Sequence, residues 1–256
     1  MLIGEPTKTE FDLRFRLAQY PVRVTPWFWL VAVLLSPRNA DGFPGAPELL
    51  LPWIAAVFTS VLIHELGHAV AFAAQGIPSH IVLYQFGGLA IPTGAATTGG
   101  GRDPRSRMVV SAAGPAAQLA SAAILLALVL LSGRSVPPIV LVGDWLPLAA
   151  DRPFVTPPTL LLFVFFYLEV SIYWALLNLL PVYPLDGGQI VREAFLLFDR
   201  SDPLKHSLIV SVMTGGLLAL WGFYLGQTFL GILFGMLAYS SYTTLQSLMG
   251  GGGGYG

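Results

Sequence analysis

His64-Glu65-Leu66-Gly67-His68 sets two imidazoles four residues apart with a carboxylate beside the first. On a helix, positions i and i+4 share a face, so both rings reach one ion and the intervening glutamate can serve a bound water. Imidazole and carboxylate donors in a chain without cysteine point to zinc. A catalytic zinc needs a third protein ligand and one open position. The best candidate is Asp186, in the run Asn178-Leu-Leu-Pro-Val-Tyr-Pro-Leu-Asp186-Gly-Gly. Taken alone, Asp186 reads equally well as a helix-cap or turn aspartate. The plain alternative for the histidines is a chance pair of hydrogen-bonded core residues. Against it, ionisable groups inside an apolar segment are costly and mark function by default.

The segments that must position these side chains are apolar. Of 256 residues, 55% are hydrophobic and 11% charged, and the mean hydropathy is +0.70. A soluble domain carries roughly 25% charged residues. A water-soluble protein is therefore excluded, and so is a disordered chain, which needs charge and few apolar residues. Thirteen Lys+Arg against 14 Asp+Glu leave a net charge of −1, which argues against a nucleic-acid partner. The absence of cysteine removes disulfides, thiolate metal sites and a cysteine nucleophile. The first 20 residues lack the apolar run of a signal peptide and are expected to be mature sequence.

Six apolar stretches are expected as spans, at about 21–36, 48–75, 108–132, 158–181, 207–226 and 228–249. The first is short against the ~20 residues that cross hydrocarbon. With the N-terminus inside, ten Lys and Arg fall in inner segments and three (Arg38, Arg134, Arg152) in outer ones. The positive-inside rule thus predicts both termini in the cytoplasm. Spans two and four then run in the same direction, with His64–His68 in the inner half of one and Asp186 at the inner end of the other. Residues 11–17 alternate apolar and charged and predict a strand. Residues 81–86 read as another strand, followed by a Gly87-Gly88 turn or bulge. The segment between spans three and four reads as an outer interfacial loop. The fold class predicted is an all-α polytopic membrane protein with about six transmembrane helices and a small membrane-associated β element. Residues 1–249 form one domain, and 250–256 a flexible glycine-rich tail.

In these motifs and their order the chain resembles the site-2 protease family of intramembrane zinc metalloproteases. The resemblance rests on His64-Glu65-Leu66-Gly67-His68, on Asn178-Leu-Leu-Pro181 with Leu185-Asp186-Gly187, and on their topology. Ser111-Ala-Ala-Gly114-Pro115, Phe86-Gly87-Gly88 and Pro21-Val-Arg-Val-Thr-Pro-Trp27 look like further landmarks of the family. It implies a compact six-span form without PDZ or cystathionine-β-synthase-type domains; that compactness and the lack of a targeting signal favour a multi-pass protein of a prokaryotic plasma membrane. Its partners would be transmembrane protein substrates and the bilayer. It also implies that Asn178 positions substrate or stabilises a developing oxyanion; the alternative is an interhelical hydrogen-bonding asparagine.

The mechanism expected is metal-assisted hydrolysis, with one zinc ion held by His64, His68 and Asp186 and with Glu65 as general base and then general acid. A transmembrane helix has its backbone bonds satisfied internally and must unwind before it is cut. Extended substrate could then add to a strand edge, and 81–86 with the adjacent Gly87-Gly88, beside the strand 11–17, is the candidate edge, with Phe86, Gly87 and Gly88 as substrate-contacting residues. A rival reading is a metal-binding or metal-transport protein that uses the same ligands without hydrolysis. Transport would call for paired broken helices and polar groups through several spans, which the sequence lacks. Glu169 sits nine residues before Asn178, on roughly the opposite helix face. Arg192 and Glu193 read as solvated helix residues, and His80 and His206 as ordinary loop histidines.

Overall fold

A computed structural model of the chain describes residues 5–37, 47–93, 103–132, 158–198 and 202–250. The expected interfacial loop between spans three and four and residues 251–256 of the tail lie outside the described residues. Five helices among those described are long and apolar enough to cross a membrane: Glu48–Ala74, Pro104–Leu131, Thr159–Asn178, Pro203–Tyr224 and Thr228–Met249. The chain divides into two compact units. One holds 5–97 and 113–175, the other 98–112 and 176–256 with the first four residues.

The first unit is built on a four-stranded sheet, β1 (Leu13–Leu17), β2 (Tyr20–Val24), β3 (Ser79–Tyr84) and β4 (Gly87–Pro92), in that spatial order. β1 and β2 form an antiparallel hairpin with Leu17 opposite Tyr20, and β3 and β4 another with Tyr84 opposite Gly87. Parallel strands need a long crossover. Between β2 and β3 it consists of α1 (Pro26–Leu34) and α2 (Pro47–Ala74), which brings Val22 opposite Ile81. Val22, Val24, Ile81 and Leu83 pack as a buried cluster with Val61 and Ala69 of α2.

Two expectations change here. Residues 21–36 are not one helix: Pro21 to Val24 extend in β2, and α1 is nine residues long. Pro26 sets the break, since proline is favoured at the first helical position and biases its predecessor towards extended backbone. Residues 81–86 are not an edge either. β3 is flanked by β2 and β4, the turn is Gln85-Phe86, and the glycines open β4. Gly87 has φ of 120°, a backbone open to glycine and strained for other residues.

Residues 5–12 are fastened to the sheet by Arg23, which is 7% exposed. Its guanidinium donates to Asp12 Oδ2 at 3.0 Å, Glu5 Oε1 at 3.0 Å and the Pro6 carbonyl at 2.9 Å. Burial would raise the Asp12 carboxyl. Hydrogen bonds from Thr9 and the charge and hydrogen bond of Arg23 outweigh that and hold it down at about 2.

Three long helices complete this unit: α2, the larger part of α3 (Pro104–Leu131) and most of α4 (Pro158–Asn178). Small residues let α2 and α3 approach closely. A Cβ on Gly67 would lie 2.8 Å from the Ala117 Cβ and 2.9 Å from the Ala113 carbonyl carbon. Close backbone approach of this kind is how helices associate in lipid, where hydrophobic driving force is absent. Pro115 is fully buried inside α3, and the helix runs through it.

The second unit contains α5 (Asp186–Phe198), α6 (Pro203–Tyr224) and α7 (Thr228–Gly250). Val182, Ala219 and Phe234 form its core. α6 and α7 make a tight hairpin, with Gly222 facing the Gly231 backbone and Gly215 facing Ala238. Glu193, expected in solvent, is fully buried: Arg107 of α3 holds one carboxylate oxygen and Arg192 the other, each at 2.6 Å. His80 and His206, expected in loops, lie on β3 and in α6.

Candidate metal centre

His64 and His68 face the same way from the middle of α2, as a four-residue helical spacing requires. Their Nε2 atoms are 3.1 Å apart. Two nitrogens bound tetrahedrally to one zinc at 2.0–2.1 Å would be about 3.3 Å apart, so the observed pair is already at ligand spacing. His64 is 3% and His68 8% exposed, and the donor atoms of His64, Glu65 and His68 lie within 4.8 Å of one another. The donor set, two imidazoles and a carboxylate, fits zinc.

The space beside the two nitrogens is kept by Gly114 of α3. A Cβ there would stand 2.6 Å from His68 Cε1 and 2.8 Å from His64 Nε2. One turn further along α3, Gln118 reaches the other side of His64, with its Oε1 3.0 Å from Nδ1. With the amide in this orientation Nδ1 carries the proton, and the Nε2 lone pair is left for a metal. Gln118 Nε2 donates in turn to Ser60 Oγ at 2.7 Å, and Ser60 Oγ pairs with Ser171 Oγ of α4 at 2.9 Å. Gln118, Ser60 and Ser171 are all fully buried.

Glu65 is 4% exposed and lies against the start of β4. A Cβ on Gly88 would be 2.6 Å from both its Cδ and its Oε1. Glycine at this position is therefore what allows the carboxylate to sit beside the sheet edge. Gly87 is backed by the Trp174 ring of α4, 3.1 Å from where its Cβ would be. Phe86 projects at the hairpin tip, 60% exposed, with its ring 5.8 Å from that of Tyr84.

The structure thus brings together His64, Glu65, His68 and Gly88. Asn178 and Asp186 belong to the second unit. Asn178 closes α4 half-buried, and Asp186 is the buried first residue of α5. Gly187 and Gly188 are helical, in the first turn of α5. A Cβ on Gly188 would lie 2.5 Å from the Val182 carbonyl carbon, and one on Gly187 2.5 Å from the Leu180 oxygen. They permit the preceding loop, 179–185, to pack on the first turn of α5. Sequence reasoning missed Gln118. The available signal was that it is the one carboxamide side chain in α3, four residues from Gly114 and so on the same helix face.

Residues 52–157 and 155–221 match the sequence profile of peptidase family M50. The chain is 32% identical over 195 residues to "Putative zinc metalloprotease Rip3" of Mycobacterium tuberculosis, covering 74% of this chain and 43% of that protein. It is 30% identical over 182 residues to "Putative zinc metalloprotease sll0528" of Synechocystis sp., covering 68% of this chain and 41% of the relative. The chain therefore spans less than half the length of these curated relatives. Among solved structures, its fold is similar to that of the "Site-2 Protease from Methanocaldococcus jannaschii", with a TM-score of 0.54, 20% sequence identity, and 92% of this chain and 95% of that one covered. The profile match and the two relatives agree with the buried histidine pair: the chain belongs to peptidase family M50.

Proposed function

We propose that the chain is an intramembrane zinc endopeptidase that cuts membrane proteins in or near their transmembrane segments. The observation that carries this reading is the pair of Nε2 atoms 3.1 Å apart, beside a buried glutamate, within an apolar helix of 27 residues. His64, His68 and Asp186 would hold one zinc ion. Zinc, when bound, would polarise the scissile carbonyl and acidify water. Glu65 takes the proton of the attacking water and hands it to the leaving amine. Burial beside Gly88 holds its carboxylate at the head of β4, where both transfers take place. Asn178 positions the substrate or donates to the developing oxyanion. Substrate adds in extended form to β4, past Phe86, Gly87 and Gly88, because among the described residues β4 and not β3 is the edge strand on this side of the sheet.

The protein is proposed to sit in a prokaryotic plasma membrane, with the site towards the cytoplasm. The positive-inside count and the apolar helices support that placement. The other reading, metal binding or transport without hydrolysis, uses the same ligands but has no need of Glu65. The Glu65→Gln variant separates them. It is expected to keep zinc and to lose cleavage of a co-expressed single-span substrate by at least about 10²-fold, the scale of general acid–base catalysis. Cleavage retained in Glu65→Gln would remove the protease mechanism. A wild-type protein that binds zinc and cuts no membrane substrate would favour the second reading.

A further inference from the structure

We infer that Gln118 is the positioning residue of the metal centre, selecting the tautomer of His64 through a buried relay that ends on α4. The inference rests on the reading of His64 as a zinc ligand. A histidine can offer only one nitrogen to a metal, and which one is set by what the other ring nitrogen bonds. His64 Nδ1 meets Gln118 Oε1 at 3.0 Å, so Nδ1–H donates and Nε2 keeps its lone pair. A free carboxamide could turn over and present its N–H₂ to the ring, which would move the ring proton to Nε2 and block the metal position. Ser60 holds the amide nitrogen in the observed orientation. Its Oγ accepts from Gln118 Nε2 at 2.7 Å and pairs with Ser171 Oγ at 2.9 Å, all fully buried. With the Ser60 O–H directed to Ser171, the serine oxygen accepts the amide N–H, which leaves the amide oxygen for the imidazole. Gln118 also lies one turn from Gly114, the residue that clears space beside both Nε2 atoms. One face of α3 thus makes room for the metal, and the next turn of the same face orients its ligand.

The test is metal binding by the purified full chain, read with zinc against a competing chelator and with the visible absorption of the cobalt(II)-substituted protein. Gln118→Met keeps the volume and loses both hydrogen bonds. It is expected to weaken zinc about 10- to 100-fold, the usual cost of losing a partner that orients a metal-bound histidine, and to shift the cobalt band. Gln118→Glu keeps an oxygen on Nδ1–H and a second to accept from Ser60, and is expected to restore wild-type affinity within a few-fold. Unchanged zinc affinity and an unshifted cobalt band in Gln118→Met overturn the inference. Equal weakening in Gln118→Met and Gln118→Glu also overturns it, because the loss would then reflect packing alone. Ser60→Ala, a smaller change, covers the case in which Gln118→Met does not fold: a shifted cobalt band supports the relay and an unshifted band overturns it. His64→Ala separates the two levels of the argument. If it binds zinc like the wild type, the ligand reading itself fails. If it loses zinc while Gln118→Met does not, only the positioning role fails.

Discussion

Gly114 is the smallest residue with the largest demand placed on it. Its missing side chain is the volume into which both Nε2 atoms point, and a methyl group there would come within 2.8 Å of one nitrogen and 2.6 Å of a ring carbon. Neither ring can swing away freely, since His64 is tied to Gln118 and both are buried. Gly114→Ala is therefore expected to lower zinc affinity at least tenfold while the helical circular-dichroism signal stays at wild-type strength; overpacking of a tight interior typically costs 1–3 kcal/mol. A zinc titration giving the wild-type constant would show that α3 yields more readily than its packing implies. Residues of this kind explain what was legible in the sequence. His64, Glu65 and His68 announce themselves, because their types are rare and expensive in an apolar helix. Gln118 did not. A carboxamide on a small-residue helix has no distinguishing neighbour until folding sets His64 beside it.

At the scale of elements, the pattern of apolar runs located the five long helices closely, and the alternation in 11–17 located β1. The sheet's order was not legible. Which strand lies inside depends on β2 pairing in parallel with β3 across a crossover of two helices, and no local signal encodes a contact over that distance. The expected edge, 81–86, is covered by β4 on one side and β2 on the other, so β4 is the strand left for substrate to join. Proline placed singly at Leu89, Ala90 and Ile91 tests it. Where the replaced N–H points away from β3, the ladder survives and substrate pairing does not. Those variants are expected to lose about fivefold in cleavage, as one removed strand hydrogen bond at roughly 1 kcal/mol would give, with zinc content unchanged. Full activity in all three would exclude addition to this edge. Arg107 and Glu193 teach a similar lesson. They are 86 positions apart, and only the fold shows that Glu193 is buried between two arginines.

For the whole molecule, the question is how many times the chain crosses the bilayer. Five helices suffice in length among the described residues, whereas the basic-residue asymmetry was counted for six crossings. We propose that β2 and α1 supply the difference. Thr25 N–H donates to the Leu83 carbonyl at the sheet, Phe28 packs with Phe58 and Val61 midway along α2, and Trp53 near the start of α2 donates to the Ala32 carbonyl at 2.8 Å. Strand and short helix therefore run antiparallel along α2. Five strand residues and nine helical ones extend about 16 and 14 Å, together close to the ~30 Å hydrocarbon thickness. The native chain has no cysteine, so single cysteines report sidedness cleanly. Lys8→Cys and Glu48→Cys are expected to react with an impermeant maleimide from opposite faces of sealed vesicles. Labelling of both from one face would mean that this segment only dips into the membrane, and the orientation of every later helix would have to be reversed relative to the N-terminus.

The glycine wall of α3 also bears on inhibitor design. On that side the two ligand nitrogens abut helix backbone at a spacing that excludes even one methyl group. A chelating warhead carrying substituents in that direction would have to prise two helices apart. On the proposed docking of substrate to β4, the tolerant direction is along that strand, so compounds with a slim metal-binding head and an extended, peptide-like tail should be the ones this scaffold accepts.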